Sequence, residues 1–324
     1  MKLQQLRYIW EVARHELNVS ATADSLYTSQ PGISKQIRLL EGELGIEIFN
    51  RNGKQFSSLT PGGEAIVAIA GDVLARIRDI RQIAEENLDK QTGNLSIATT
   101  HTQARYALPG VIQTFRQRYP KINLTINQGT PAQIAELVSR GLVDMAIATE
   151  GTDLFENLVT LPCYEWNRSV IVPKAHPLTQ LERLDLKALA DHPIITYTFG
   201  FTGRSQLDEA FGAAGLDPQL ALTAVDADVI KTYVRLGLGV GIVAHMAYDP
   251  KTDGDLVALE ASHLFRSSTT KIALRRDMFI RSFIYDFIQI FAPHLNEVLV
   301  RTAMQTRDRK ELESLFEPLT LPIV

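Results

Sequence analysis

The N-terminal part of the chain carries apolar side chains at the spacing of short helices. Leu3, Leu6, Ile9 and Ala13 recur at intervals of three or four residues, as on one face of an α-helix. Further along, Ser20 is a residue type that begins helices. The pattern therefore predicts two short helices at the start of the chain.

A third helix is predicted to follow directly. Pro31 suits the first turn of a helix, where its missing N–H costs no hydrogen bond, and Gly45 is typical of a helix end. Ile33 and Ile37 give this helix a buried face, so the basic residues between and after them point outward. A hairpin-like turn is predicted around Gly53.

Residues 62–88 show a repeat of seven. Apolar side chains lie in two rows, at Ile66, Val73 and Ile80 and at Ala70, Ile77 and Ala84. A seam of this kind predicts a long helix that packs against a partner helix and supports a homo-oligomer. The alternative is a helix buried in the core of its own domain.

Beyond residue 94, short apolar strands alternate with helices. Strands are predicted at 95–100, 122–127, 143–148, 169–172, 194–197, 220–224, 239–244 and 271–275, and helices at 108–119, 132–140, 204–214, 229–236 and 280–291. This alternation is typical of βαβ units around a mainly parallel sheet. A second set begins near Tyr164, so the fold class is α/β, preceded by an all-α domain and a long helix.

Composition narrows the class of protein. The chain has 324 residues, with 33 basic and 37 acidic side chains and a net charge of −4, which by itself argues against a nucleic-acid-binding protein. The single cysteine, Cys163, excludes an internal disulfide and fits a reducing compartment. The start lacks the apolar core of a signal peptide, and no apolar run approaches the roughly 18 residues of a membrane span. We therefore expect a soluble cytoplasmic protein without a membrane partner.

The N-terminal helices match a helix-turn-helix, whose second helix enters the major groove of DNA. The candidate DNA-binding residues are Ser29, Gln30, Ser34, Lys35 and Arg38, with Arg51 and Lys54 in the following turn. Gln30 and Arg38 can form bidentate hydrogen bonds with bases, and the turn would contact the flanking backbone as a wing does. The alternative is a solvated helix pair in a small helical domain.

Charge in this region is nearly balanced. Residues 1–61 contain seven basic and six acidic side chains, and Lys35 and Arg38 are the charged residues between Thr28 and Leu40. Few phosphate contacts per subunit predict weak binding by one subunit, so DNA affinity would require linked subunits.

Polar residues follow three of the predicted strands. They are Thr100, Thr102, Gln103, Thr149 and Thr202. In open α/β sheets, ligands bind beyond the carboxyl ends of strands, near helix N-termini that favour anions. We therefore predict a binding site for a small polar anion. The alternative is that each threonine is an ordinary helix N-cap.

No catalytic centre, metal site or cofactor is predicted. The seven histidines are scattered without the spacing of a helical metal pair. The glycine-rich stretch 236–241 follows a helix and precedes a strand, so it is interpreted as a helix stop. Cys163, between the two sets of strands, is interpreted as a structural thiol, with a redox sensor as the alternative. His101 is either a ligand contact or a surface-loop residue.

Specific motif residues accompany these patterns. They are Asn18–Leu26, Ser29–Ser34, Gln36-Ile37, Leu40-Glu41, Leu44-Gly45, Phe49, Arg51 and Leu59–Gly63. Over about 45 residues this motif resembles the LysR-type transcriptional regulators, with mild departures at Asp24–Ser25 and Gly32. The resemblance implies a winged helix-turn-helix (1–61), an oligomerising linker helix (62–90) and an effector domain (91–324) resembling a periplasmic-binding-protein fold. The implied assembly is a homo-oligomer, usually a tetramer.

The effector domain is expected to divide into two subdomains. Subdomain I would comprise about 91–163 and 266–293, subdomain II about 164–265, and a tail 294–324. Three segments, Thr99–Tyr106, Thr149–Gly151 and Thr198–Arg204, resemble the branch of the family that regulates cysteine biosynthesis. That resemblance implies activation of sulfur-assimilation genes at promoter DNA, contact with RNA polymerase, and N-acetylserine as inducer, with sulfate or other sulfur oxyanions as further effectors.

Two other functions remain open from sequence. One is a related regulator of genes for alternative sulfur sources. The other, of a different class, is a cytoplasmic small-anion binding protein or enzyme; the absence of a signal peptide and of catalytic motifs disfavours it.

Overall fold

The computed structural model describes residues 1–53, 55–201 and 203–324. Two predicted site residues, Lys54 and Thr202, lie outside the described residues. The chain forms two compact units, Met1–Ala84 and Glu85–Val324, and each is described by itself.

The first unit contains the predicted helices and hairpin. Its elements are α1 (Leu3–Arg14), α2 (Val19–Ser25), α3 (Gln30–Leu44), β1 (Phe49–Asn52), β2 (Gln55–Leu59) and the start of α4 (Pro61–Leu88). The strands β1 and β2 pair antiparallel. Ile9, Ile33, Ile37, Leu40 and Phe49 are fully buried where the helices meet the hairpin, so apolar burial holds this small unit together.

The helix ends are set by local side chains. Ser20 was expected to cap α2, but the cap is Asn18, whose side chain accepts a hydrogen bond from the Ala21 N–H at 3.0 Å. An amide at this position satisfies a free N–H of the first turn, so Ser20 lies inside the helix. Ser29 caps α3 in the same way, and Gly45 ends it with φ = +71°, as predicted.

A buried carboxylate fixes the hairpin to α3. Glu41 accepts hydrogen bonds from the backbone N–H groups of Ile48 (2.9 Å) and Phe49 (3.2 Å), and it forms an ion pair with Arg51. These bonds compensate for the burial of its charge, so Glu41 fixes the position of the hairpin beside α3.

The long helix α4 presents two kinds of surface. Ala70 is buried, and a Cβ added at Gly71 would lie 2.7 Å from Nε1 of Trp10, so this side packs closely on α1. Of the predicted seam, Val73 and Ile80 are exposed, whereas Ala70 packs within its own unit. An apolar row of this kind on an otherwise charged helix is typical of an interaction surface.

The second unit alternates strands and helices. Its elements are β3 (Gly93–Thr99), a π-helix (Gln103–Ala107), α5 (Leu108–Arg118), β4 (Ile122–Gln128), α6 (Pro131–Ser139), β5 (Met145–Ala148), β6 (Leu158–Trp166), β7 (Arg168–Pro173), α7 (Leu186–Ala190), β8 (Ile194–Tyr197), α8 (Arg204–Ala213), β9 (Leu220–Ala224), α9 (Ala227–Arg235), β10 (Val240–Ala244), β11 (Leu256–Glu260), β12 (Ser268–Arg275), α10 (Ser282–Phe291), α11 (Glu297–Gln305) and α12 (Arg309–Ser314).

These strands form two five-stranded sheets. The order is β4-β3-β5-β12-β6 in subdomain I and β11-β7-β10-β8-β9 in subdomain II. Three adjacent strands of each sheet are parallel, β4, β3 and β5 in one and β10, β8 and β9 in the other, whereas β12 and β7 run antiparallel to their neighbours. The chain crosses from β6 to β7 and returns from β11 to β12, which confirms two α/β subdomains with two crossovers.

Two strands were missing from the sequence prediction, β6 and β11. Because β6 extends to Trp166, Cys163 lies inside a strand of subdomain I and not between the subdomains. Its side chain is buried, and Sγ lies 3.3 Å from the carbonyl oxygen of Leu161. Burial raises the pKa of this thiol, which favours the structural interpretation over a redox sensor.

The glycine-rich stretch acts as a helix stop, as predicted, with Gly237 at φ = +75° after α9. Among the described helices, none combines the length and apolar character that crossing a membrane requires.

Candidate functional site

The exposed face of α3 carries the predicted DNA-contacting side chains. Ser29, Gln30, Lys35 and Arg38 are exposed, and Ser34 is half-buried. Within the described part of the chain, neither Lys35 nor Arg38 has an ion-pair partner, so both charges are available to a phosphate or a base. The Gln30 amide donates to Ser34 Oγ at 3.3 Å, a weak bond that a base edge can replace.

Arg51 is placed differently from these residues. Besides its ion pair with Glu41, it lies 3.7 Å from a carboxylate oxygen of Glu47 and 5.4 Å from the centroid of the Phe56 ring. Its guanidinium is thus used within the hairpin, and a DNA contact would have to come from its remaining N–H groups.

Sequence reasoning missed Tyr27 in the turn between α2 and α3. This residue has φ = +50° and is 98% exposed. A left-handed conformation is uncommon for a bulky side chain. The turn therefore holds an aromatic ring in solvent beside the N-terminus of α3, and a tyrosine within a predicted turn was the available signal.

In subdomain I, polar residues at three element ends enclose a crevice. It is lined by Thr100, Thr102 and Gln103 after β3, by Pro131 at the start of α6, and by Thr149 and Glu150 after β5. The crevice is closed in this structure and has no room for a water molecule, so a ligand enters only if the lining residues move apart. Four of the five predicted effector residues are thus brought together, and Thr202 lies outside the described residues.

Hydrogen bonds join the crevice residues into a network. The Gln103 amide donates to Thr270 Oγ1 at 3.1 Å and accepts from the Tyr164 hydroxyl. Thr149 Oγ1 lies 3.4 Å from Thr270 Oγ1 and accepts from Trp166 Nε1 at 3.3 Å. These bonds fix the orientation of Gln103 and Thr149, and therefore the pattern of donors and acceptors that a ligand would meet.

Thr102 supplies a further polar atom. Its side chain is buried, and Oγ1 has no hydrogen-bond partner of good geometry among the described residues. Thr102 occupies the cap position of the π-helix, yet its side chain makes no capping hydrogen bond. The N-cap alternative therefore does not hold for Thr102, whose hydroxyl instead lies near the buried Tyr197 hydroxyl. A ligand that reaches this hydroxyl can supply a hydrogen bond of better geometry.

A carboxylate that sequence reasoning missed lies in the same crevice. Burial raises the pKa of Glu150, while the backbone N–H of Gly203 and the charge of Arg168 act in the opposite direction. Its signal was its position, directly after Thr149 at the end of a strand. Because Glu150 carries negative charge when ionised, it opposes an anionic ligand and must be balanced by a cation nearby.

Arg168 is that cation. Its side chain is buried and donates to the carbonyl oxygen of Gly203 at 2.9 Å and to Ser268 Oγ at 3.0 Å. Burial lowers its pKa to about 10, so it remains charged at neutral pH. Gly203 has φ = +70°, and a Cβ there would lie 1.7 Å from Arg168 Nη2. Only glycine therefore lets the start of α8 approach the guanidinium.

His101 lies between the two subdomains. Ligand atoms of His101, Asp226 and Asp228 are within 4.8 Å of one another, and Nδ1 of His101 is buried. Asp228 accepts a hydrogen bond from the Tyr106 hydroxyl at 2.8 Å and lies 3.3 Å from Lys231 Nζ. Asp226 caps the N-terminus of α9, so both carboxylates are already engaged by protein groups, whereas His101 Nδ1 has no hydrogen-bond partner among the described residues.

These two parts define a helix-turn-helix protein with a ligand-binding α/β domain. Residues 3–64 match the bacterial regulatory helix-turn-helix protein, lysR family, and residues 89–296 match the LysR substrate binding domain. The chain therefore belongs to the LysR family of bacterial regulators.

Individual relatives narrow the comparison within that family. The chain is 52% identical to the HTH-type transcriptional regulator CysB of Haemophilus influenzae, covering 99% of both chains. It is 50% identical to the regulator SsuR of Burkholderia cenocepacia, over 92% of this chain and 96% of that protein. The crystal structure of the cofactor-binding domain of the Cbl transcriptional regulator superposes with a TM-score of 0.64 at 42% identity, covering 66% of this chain and 95% of that one.

Proposed function

We propose that this protein is a DNA-binding transcription factor, mainly an activator, of genes for sulfur assimilation and cysteine biosynthesis. The observation that carries the proposal is the exposed α3 face with the cations Lys35 and Arg38, which have no ion-pair partner among the described residues, in a chain related over its full length to CysB. In this role Arg38 and Gln30 read bases, while Ser29, Ser34 and Lys35 hold the register on DNA. Arg51 and Lys54 contribute to the flanking backbone contact.

The effector in this proposal is a small polar anion held in the crevice. Hydroxyls of Thr100, Thr102, Thr149 and Thr202 and the Gln103 amide bind an acetylated serine such as N-acetylserine, or a sulfur oxyanion. A carboxylate or sulfate accepts hydrogen bonds from these donors, and Arg168 supplies a nearby positive charge. The effector acts by binding one arrangement of the two subdomains better than another.

The active form in this proposal is a homo-oligomer, with a tetramer as the expected assembly. The exposed apolar row of α4 supplies the surface for association. Linked subunits compensate for the few phosphate contacts of each α3 helix, and activation proceeds through contact with RNA polymerase at the promoter.

A second candidate function is control of genes for alternative sulfur sources. It is favoured by the 50% identity to SsuR and the 42% identity to Cbl of Escherichia coli. The identity to SsuR is close to the 52% identity to CysB. Binding of the protein to promoter fragments of both gene classes, each titrated with N-acetylserine and sulfate, separates the two functions.

DNA binding is tested by replacing Arg38. We expect Arg38→Ala to weaken operator binding by about 1–3 kcal/mol and to reduce the salt dependence of affinity. Arg301→Ala, which replaces an exposed arginine on α11 of the second unit, removes the same charge from outside the helix-turn-helix and serves as control. Fluorescence anisotropy at several salt concentrations measures both effects. An Arg38→Ala protein with unchanged affinity and salt slope contradicts the assignment.

Effector binding is tested by removing one hydroxyl. We expect Thr149→Val to weaken binding of N-acetylserine and sulfate by about 0.5–1.5 kcal/mol, because one hydrogen bond is lost at nearly constant volume. Thr125→Val, on the exposed side of β4, is the matched control. Equal affinities of both variants and wild type by calorimetry remove Thr149 from the site.

A further inference from the structure

A second and larger cavity lies between the sheet of subdomain I and the C-terminal tail. Its volume is about 750 Å³, within the usual range of small-molecule sites. The floor is formed by Leu158, Thr160 and Pro162 of β6 and by Thr269 and Lys271 of β12. It opens on the side of these strands opposite the buried Thr270.

The roof of this cavity comes from the tail. Leu312 and Phe316 of α12 and the following turn, with Leu319 and Leu321, face the floor. The matched LysR substrate binding domain ends at residue 296, so the roof is built by residues beyond the domain that the family shares. This cavity is therefore a feature added to the common fold.

The end of the tail is fastened to the sheet. The Glu165 N–H donates to the carbonyl oxygen of Pro322, and the Val324 N–H donates to the carbonyl oxygen of Glu165, each at 2.9 Å. These bonds pair Ile323 with the edge strand β6. The tail is thus held at a defined register on the sheet, and the cavity lies between the two.

The lining combines apolar surfaces with oppositely charged side chains that form ion pairs. Lys271 Nζ lies 3.2 Å from Asp153, and Arg309 Nε lies 3.1 Å from Glu313. A ligand with one charge would leave one member of a pair without a partner. A zwitterion can satisfy both members, because its carboxylate takes the cation and its ammonium takes the carboxylate.

We propose that this cavity is a second ligand site, for free α-amino acids with apolar side chains. The side chain lies between Leu158 and Pro162 on the floor and Leu312 and Phe316 on the roof, where its burial supplies most of the affinity. The ligand's carboxylate binds Lys271, and its ammonium binds the carboxylate that otherwise pairs with Lys271.

The cavity and the effector crevice share the strand β12. Along β12, Thr270 contacts the crevice residues Gln103 and Thr149, whereas its neighbours Thr269 and Lys271 line the cavity. Successive residues of a strand point to opposite faces, so a ligand that shifts β12 acts on both sites. This coupling rests on the proposed effector function of the crevice, whereas amino-acid binding to the cavity does not.

Calorimetry on the full-length protein tests the site with three probes that share one phenylethyl body. L-Phenylalanine carries both charges, 3-phenylpropionate the carboxylate alone, and 2-phenylethylamine the ammonium alone. We expect L-phenylalanine to bind at least about tenfold more tightly than either analogue, which corresponds to about 1.4 kcal/mol. Absence of binding by L-phenylalanine, L-leucine and L-methionine at about 10 mM, or equal binding by a singly charged analogue, overturns the proposal.

A filling variant locates the bound amino acid. Thr160→Trp occupies the cavity and should abolish L-phenylalanine binding, whereas Thr252→Trp, on an exposed turn of subdomain II, should retain it. Urea unfolding of both variants reports whether the fold is intact. Unchanged L-phenylalanine binding by Thr160→Trp places the ligand elsewhere and overturns the proposal.

A second variant keeps the test valid if Thr160→Trp does not fold. Lys271→Gln removes one charge of the pair with little change in size, and it should weaken L-phenylalanine binding several-fold with the urea-unfolding midpoint retained. Equal L-phenylalanine affinity overturns the proposal. In wild type, saturating L-phenylalanine should change the sulfate affinity about fivefold or more. An unchanged sulfate affinity overturns the coupling but leaves both sites in place.

Discussion

The α3 face and the effector crevice are built in opposite ways. All of the predicted contacts on α3 come from one helix of 15 residues, and its cations project into solvent without partners in the described part of the chain. The crevice gathers side chains that follow β3 and β5, and hydrogen bonds link two of them, Gln103 and Thr149, to Thr270 of β12 and to Tyr164 and Trp166 of β6. The first surface is a set of separate contacts, and the second is a network.

This difference determines what substitutions do. An exposed side chain can be removed from α3 without loss of a neighbour's partner, so its effect is confined to DNA. In the crevice, loss of one group leaves another buried polar atom unsatisfied, at about 1–3 kcal/mol for each such group. Binding and stability are therefore expected to change together in the crevice and separately on α3.

The largest effect is expected at Gly203, where the crevice depends on a close backbone approach. Gly203→Ala places a Cβ against Arg168 and forces a left-handed conformation on alanine, which we expect to destabilise the protein by more than about 2 kcal/mol. Gly212→Ala, in the same helix and with open space around it, should be neutral or stabilising by up to about 1 kcal/mol. Urea unfolding measures both, and similar stabilities of the two variants would show that the Arg168 contact is not structural.

Double-mutant cycles compare the two regions directly. Lys35→Ala and Arg38→Ala should be additive in DNA affinity to within about 0.5 kcal/mol, because the side chains share no partner. Gln103 and Thr149 both contact Thr270. We therefore expect Gln103→Leu and Thr149→Val to show an interaction energy of about 0.5–3 kcal/mol in sulfate affinity. Additivity in the crevice, measured by calorimetry, would refute the network description.

The smallest effect concerns pH and Glu150. Burial raises the pKa of this carboxyl above its ordinary value of 4.5, so on acidification it takes up a proton in the folded protein before it would in the unfolded chain. Sulfate affinity should therefore rise as pH falls through the raised pKa, by up to about tenfold for each unit of pKa that the bound anion shifts. The ionised form is disfavoured by folding, so this group's contribution to stability falls as pH rises through the same window.

Glu150→Gln is the matched control for that prediction. The amide has the same shape and no charge, so its sulfate affinity should be nearly independent of pH between about 5 and 8. If calorimetry gives parallel pH profiles for wild type and Glu150→Gln, Glu150 is not the group that controls anion binding.

Local patterns in the chain were sufficient to predict the parts of the molecule that depend on neighbouring residues. The spacing of Ile33 and Ile37, the helix start near Pro31 and the helix end at Gly45 were sufficient to place Lys35 and Arg38 on an exposed face, because helical periodicity fixes which side chains share a side. The alternation of strands and helices likewise predicted two α/β subdomains. Short-range rules also placed threonines at strand ends.

The tertiary structure alone decided which distant residues meet. The strand β6 contains Pro162 and mixes polar with apolar residues, so its pattern did not predict a strand. Its pairing with β12 nevertheless makes it a strand, in which Cys163 is buried. Glu150, Arg168 and Thr270 gained their roles from backbone groups and side chains far away in sequence. No local pattern encodes these contacts, because they arise only when the two sheets are packed and buried polar atoms must find partners.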